Sequence, residues 1–238
     1  MKKGKKVLVL ILCLVALAVG SAVGTMAYLT DYDAVTNTFT VGNVILTLDE
    51  ADVKTDGSYE TDHNQRVQEN QYHLLPGHTY IKDPTVTVEE GSADAYVRMI
   101  VKVEGMDQLR LAIPNEGKTG NYYGTDGTFL LQKLCVDANG ICTWDRATWE
   151  FETYTESADG KTGTYEFRYR DVVKMSDKAT ELPALFTRIT VPGELDNAHL
   201  EYMKLVNIVV NAHAIQADGF ENDEDGAWSA FGNQNENQ

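Results

Sequence analysis

The sequence predicts an all-β fold, a β-sandwich with short helical insertions behind an N-terminal signal-peptide helix. Three observations lead there. Short runs that alternate apolar and polar residues recur along the chain, turn dipeptides separate them, and helical periodicity is scarce. That pattern belongs to two packed antiparallel sheets rather than to a helical or α/β fold.

The leader comes first. Lys2, Lys3, Lys5 and Lys6 precede an uncharged apolar run from Val7 to Gly20, the basic n-region and apolar h-region of a secretory signal peptide. Thr25-Met26-Ala27 offers the residues of a cleavage site, so the cut is expected after Ala27, leaving Tyr28 as the new N-terminus. The alternative is a retained anchor, because the uncharged stretch Val7 to Val23 reaches the lower limit of about 17 to 20 residues that span a bilayer. Contact with a membrane is expected only through this leader.

Strand patterns begin at Asn37, where Thr38-Phe39-Thr40-Val41 alternates. Gly42-Asn43 then resets the phase, and Val44, Leu46 and Leu48 resume on even numbers, as two strands meeting at a bend would. Glu50 to Gln71 is rich in charge and reads as a long exposed loop. After Pro76-Gly77 and Asp83-Pro84, Thr85 to Glu89 is a strand. Ala95, Val97, Met99, Val101 and Val103 then share one face of a half-buried strand. Trp149 and Phe151 alternate with glutamates, Tyr165, Phe167 and Tyr169 with charged residues, and Ser157-Ala158-Asp159-Gly160 between them is a hairpin turn. A strand over Leu185 to Val191 stops at Pro192-Gly193, and Glu194 to Met203 suits a short helix. Val206 to Ala214 is the last long strand, with Val209 and Ile215 on its second face suggesting a central position. Gly219 to Gly226 reads as an acidic loop, Ala227 to Phe231 as an apolar patch and residues 233–238 as a disordered polar tail. The organisation expected is therefore a leader (1–27), an N-terminal segment (28–43), a sandwich domain (44–232) and the tail.

The whole chain carries a net charge of −16, and loss of the four leader lysines makes the remainder more acidic still. Nucleic acid is thereby excluded as a partner, since its phosphates attract the opposite charge. Two cysteines follow the leader. Cys135 and Cys142 flank Asn139-Gly140, and in an oxidising compartment they suit a disulfide across one hairpin, worth about 2–3 kcal/mol. Two free thiols are the alternative.

Thr25-Met26-Ala27-Tyr28-Leu29-Thr30-Asp31 and the later Asn37-Thr38-Phe39-Thr40-Val41-Gly42-Asn43-Val44 resemble the start of the TasA and camelysin family. These are exported proteins of Gram-positive bacteria whose leaders are cut by the signal peptidase SipW. The resemblance continues in Lys82-Asp83-Pro84-Thr85-Val86, in Asp94-Ala95-Tyr96-Val97 and in Asn207 to Ala217, whereas Glu104 to Pro183 shows none. It implies a jelly-roll-like sandwich, secreted to the extracellular matrix or cell surface, that assembles into fibres with copies of itself or related subunits. It also implies that cleavage frees a donor strand, here Tyr28 to about Val41 with Tyr28, Leu29, Phe39 and Val41 as its apolar positions. Asp31 and Asp33 are expected on the water-facing side of that strand.

Camelysin-like proteins are classed as metalloproteases, so a secreted metalloprotease is the alternative from another class, and a monomeric surface adhesion module is a third. Catalytic, cofactor and metal residues are not found in the motifs. No histidine opens the His-Glu-x-x-His pattern that sets two imidazoles and a glutamate on one helix face. His73 and His78 straddle Pro76-Gly77, His199 is followed by Leu200-Glu201, and His213 lies within a strand pattern. No Gly-x-Ser-x-Gly elbow is present. Glu221, Asp223, Glu224 and Asp225 suit either calcium or an ordinary solvated turn, and their spacing fits no EF-hand.

Overall fold

The computed structural model describes residues 30–34, 37–41, 44–60, 65–112, 135–136, 144–191, 193 and 195–235. The leader, the cleavage residues Thr25, Ala27 and Tyr28, and also Leu29 and Cys142 lie outside them.

Alternation along a pleated strand sends every second side chain to the same face, and the longest strands follow it. In β7 (Ala95–Glu104) and β13 (Asn207–Gln216), Val97, Met99, Val101 and Val103 face the same core as Val210, Ala212 and Ala214. These two strands pair antiparallel over their full lengths and form the centre of a six-stranded sheet. On one side of β7 lie β10 (Thr162–Tyr169) and then β9 (Trp149–Glu156). On the far side of β13 lie β1 (Thr30–Ala34) and then β2 (Asn37–Val41). The expected hairpin joins β9 to β10, with Gly160 at φ +68° and Ser157 N–H donating to the Thr162 carbonyl.

A second sheet has the order β11 (Thr180–Glu181), β6 (Thr85–Val88), β3 (Leu46–Ala51) and β4 (Arg66–Val67). A third, small sheet places β12 (Arg188–Thr190) between β5 (Thr79–Ile81) and β8 (Cys135–Val136). Every pairing is antiparallel. Val44, Leu46, Leu48, Val86 and Val88 of the second sheet share one core with the inner residues of the first, so the fold is a β-sandwich with few, short helices. Trp149, fully buried, fills this core and donates its indole N–H to the Pro183 carbonyl at 2.9 Å.

Three helices complete the described structure. α1 (Met106–Ala112) buries Met106, Leu109 and Ala112 and packs against α2 (Asn197–Met203). Asp196 caps α2 by accepting from the backbone N–H groups of Ala198 and His199. α3 (Glu224–Asn235) replaces the end of the expected acidic loop, the expected apolar patch and the start of the expected disordered tail. It lies over the outer face of the six-stranded sheet, where Ala227, Trp228 and Phe231 cover Tyr96 and Ile215. β7 is consequently covered on both faces through Ile100, and only its Lys102–Glu104 end alternates with exposed residues. Among the described residues no helix is long and apolar enough to cross a membrane.

The segment from Glu50 to Gln71 also departs from expectation. Glu50 and Ala51 end β3, Val53 is buried and bridges to Tyr59, and β4 returns along β3. Two of its charges are paired rather than solvated: the Arg66 guanidinium pairs with Asp49 and Asp83, and Glu50 pairs with Lys82 at 2.6 Å, whereas Lys54, Asp56 and Glu69 are exposed as expected.

Candidate functional site at the edge of the last strand

A sheet edge presents unpaired N–H and C=O groups that can template another strand. In β13, one edge is fully occupied by β7. The other is shared. β1 pairs with it from Thr30↔Ile215 to Asp33↔Ala212, and among the described residues no strand stands beside Asn207 to Asn211. β2 pairs with the outer side of β1, placing Phe39 opposite Tyr32 and Val41 opposite Thr30. The N-terminal segment is thus a hairpin added to the rim of the sheet.

The uncovered end of β13 borders open space. A cavity of about 190 Å³ runs between Asn207–Val210 and the β3 and β4 region, lined by Leu48, Asp49, Glu50, Gln68, Glu69, Asn70, Lys82 and Pro84. A larger one of about 510 Å³ adjoins it through the shared residues Asn70, Lys82, Asn207 and Ile208. Leu74, Leu75, Ile189, Val191, Leu200, Met203 and Val206 give it an apolar lining, with His73, Glu201 and Lys204 among the polar residues. Together they form a groove that runs from the β3 and β4 region past the start of β13 to β12 and α2.

Along the backbone, Asp31 is paired with Ala214 and Asp33 with Ala212; the side chains of β1, and with them the expectation that these aspartates face water, lie outside the described residues.

Behind this edge, α3 is fixed to the outer face of β13 and β7 by a cationic clamp. The Arg98 guanidinium lies 4.3 Å from the Trp228 ring centroid and 5.2 Å from that of Phe231. Its Nε donates to His213 Nδ1 at 3.1 Å, and it pairs with Glu166 at 3.3 Å. The His213 ring stacks on Phe231 at 4.9 Å. Burial, followed by the charges of Arg98 and Lys102, pushes the His213 imidazole from the ordinary 6.5 down to about 3. The ring is therefore neutral at physiological pH, as its role as acceptor from Arg98 requires. His213 stands opposite Tyr32 of β1, so the clamp is one residue pair away from the N-terminal strand.

The other candidates are dispersed. His73 lines the larger cavity, His78 lies 6.4 Å from the Tyr80 ring, and His199 contacts Asp196 at the start of α2. The acidic residues before and within α3 have separate tasks. Asp223 accepts from the Gly226 N–H, Glu224 from the Trp228 indole at 2.9 Å, and Asp225 pairs with Arg168 at 2.6 Å. Among the described residues no three His, Cys, Asp or Glu side chains gather as a metal-binding group. Cys135 lies in β8 opposite Ile189 of β12, while its expected partner is outside the described residues.

No motif signalled the groove, or that among the described residues β1 pairs with only part of the β13 edge. Neither family models, nor curated proteins, nor solved structures give a match to this chain.

Proposed function

We propose that this chain is an exported structural subunit of extracellular or cell-surface fibres, a jelly-roll-like sandwich that joins its neighbours by strand donation. In this reading a SipW-type peptidase cuts after Ala27, and the freed segment from Tyr28 to about Val41 leaves its own sheet and adds to that of the next copy. The observation that carries the reading is the seat of β1: it is held to β13 through four residue pairs, against ten between β13 and β7. Each strand hydrogen bond contributes only about 1 kcal/mol net. A strand held so lightly can exchange. The groove beside Asn207–Val210 supplies further edge and apolar pockets for an incoming segment longer than β1. Because the contact runs from the N-terminus of one copy to the last strand of another, it is heterologous and propagates as a filament.

The test compares the chain starting at Tyr28 with one lacking residues 28–41, by electron microscopy and by protease assay with and without chelator. Filaments are expected only from the longer form. Chelator-sensitive proteolysis without filaments contradicts the reading.

A further inference from the structure

Three side chains at the groove wall meet in an arrangement that ion pairing alone does not call for. Glu50 is 5% exposed, and its two oxygens face two different nitrogen groups. Oε2 accepts from Lys82 Nζ at 2.6 Å, and Oε1 accepts from Asn70 Nδ2 at 3.0 Å. The Asn70 amide is held on its other side as well: Oδ1 accepts the Val53 backbone N–H at 3.0 Å, and Nδ2 also donates to the Ala51 carbonyl at 2.9 Å. Those contacts fix which end of the amide is nitrogen and point it at the carboxylate. Asn70 and Lys82 are half-buried, and the adjacent Ala51, Val53 and Ile81 form a buried cluster against Tyr72. The Tyr72 hydroxyl donates to the Ile81 carbonyl, and burial with the nearby Glu50 and Asp83 charges raises its pKa, keeping it protonated.

We propose that Lys82 and Asn70 are joined by an intramolecular isopeptide bond, formed in the folded chain with Glu50 as the proton carrier. The Lys82 ammonium hands a proton to Glu50 along their hydrogen bond, and the free amine crosses the carboxylate to attack Asn70 Cγ. The four-carbon lysine stem, bordering the cavity, gives it room to swing. The developing oxyanion on Oδ1 is met by the Val53 N–H that already donates there. The new Cγ–Nζ bond forms and the Cγ–Nδ2 bond breaks, with Glu50 returning its proton to the departing Nδ2. A second proton released from Nζ leaves with it, so ammonium departs and Glu50 ends as it began. Nothing is oxidised or reduced, and no co-reactant is needed. The bond closes the loop between β4 and β5 over Glu50, tying one wall of the groove to the end of a strand in the third sheet.

Intact mass spectrometry of the reduced, denatured full chain tests this directly. The expected mass is one ammonia below that of the sequence. Trypsin is expected to leave Lys82 uncut, giving a single peptide over residues 67–98 that carries the same deficit. Lys82→Arg keeps a positive charge beside Glu50 but has no lysine amine, and its mass is expected to match its sequence. A native chain at full sequence mass, with ordinary cleavage after Lys82, overturns the proposal. So does an ammonia deficit that persists in Lys82→Arg, because that signals cyclisation of an asparagine on its own backbone.

Discussion

With Asp33 and Ala212 both replaced by cysteine, the oxidised chain is expected to remain monomeric and the reduced chain to form filaments. The two positions are direct partners across the β1–β13 ladder, and opposed residues in an antiparallel pair have Cα atoms about 4.5–5.5 Å apart, within the range a disulfide spans. Ala212 is a core position of small volume, and cysteine adds only one sulfur atom there. The bridge leaves every other contact in place and denies one event, the departure of β1 from its own sheet. Loss of assembly on oxidation, restored by reductant, is therefore specific to exchange. Electron microscopy of the same preparation before and after reduction gives the measurement.

Acid is expected to weaken the fold before the carboxylates titrate, and His213 is expected to be the reason. Its imidazole is held neutral down to about 3 when folded but takes a proton near 6.5 when unfolded. The unfolded chain binds the extra proton, so this contribution to stability is complete above pH 6.5 and declines as pH falls toward 3. The loss between pH 6.5 and 5 is about 2 kcal/mol, from 1.36 kcal/mol per pH unit. Groups facing the ring are Arg98, Lys102 and, through Arg98, Glu166. Denaturant unfolding of the native chain and His213→Gln at pH 7 and pH 5 measures the difference. The native chain is expected to lose stability over this interval, and the variant, which keeps an acceptor for Arg98, to lose much less. Parallel losses contradict the assignment.

How far the fold could be read from sequence depended on where each strand's partner lies. β7 and β13 were legible because each bears an unbroken inner row, Val97 to Val103 and Val210 to Ala214, set by the core alone. The β9–β10 hairpin was legible because Asp159-Gly160 supplies its turn locally. β1 was not, because Thr-Asp-Tyr-Asp-Ala has only one large apolar residue and becomes a strand through the neighbours it pairs with. α3 hid because its apolar residues number few and Gly226 and Gly232 interrupt them. It docks through the burial of Ala227, Trp228 and Phe231 on Tyr96 and Ile215 and through Arg98, which lies more than a hundred residues away. The stretch after Glu50 read as exposed because charge usually means solvent. Here Glu50 is buried with Asn70 and Lys82 hydrogen-bonded to its two oxygens, and their partnership crosses segments that sequence order keeps apart. Of the candidate site, the N-terminal segment and the last strand were both visible; that one lies on the other's edge, with part of that edge left open, was not.

The most direct test of donation mixes two single variants, one chain carrying Asp33→Cys and another carrying Ala212→Cys, before assembly and oxidation. Strand donation predicts disulfide-linked heterodimers on a non-reducing gel, in excess over an unsubstituted chain treated alike. Filaments that form from the mixture without heterodimers would contradict it, because β1 would then have stayed on its own sheet.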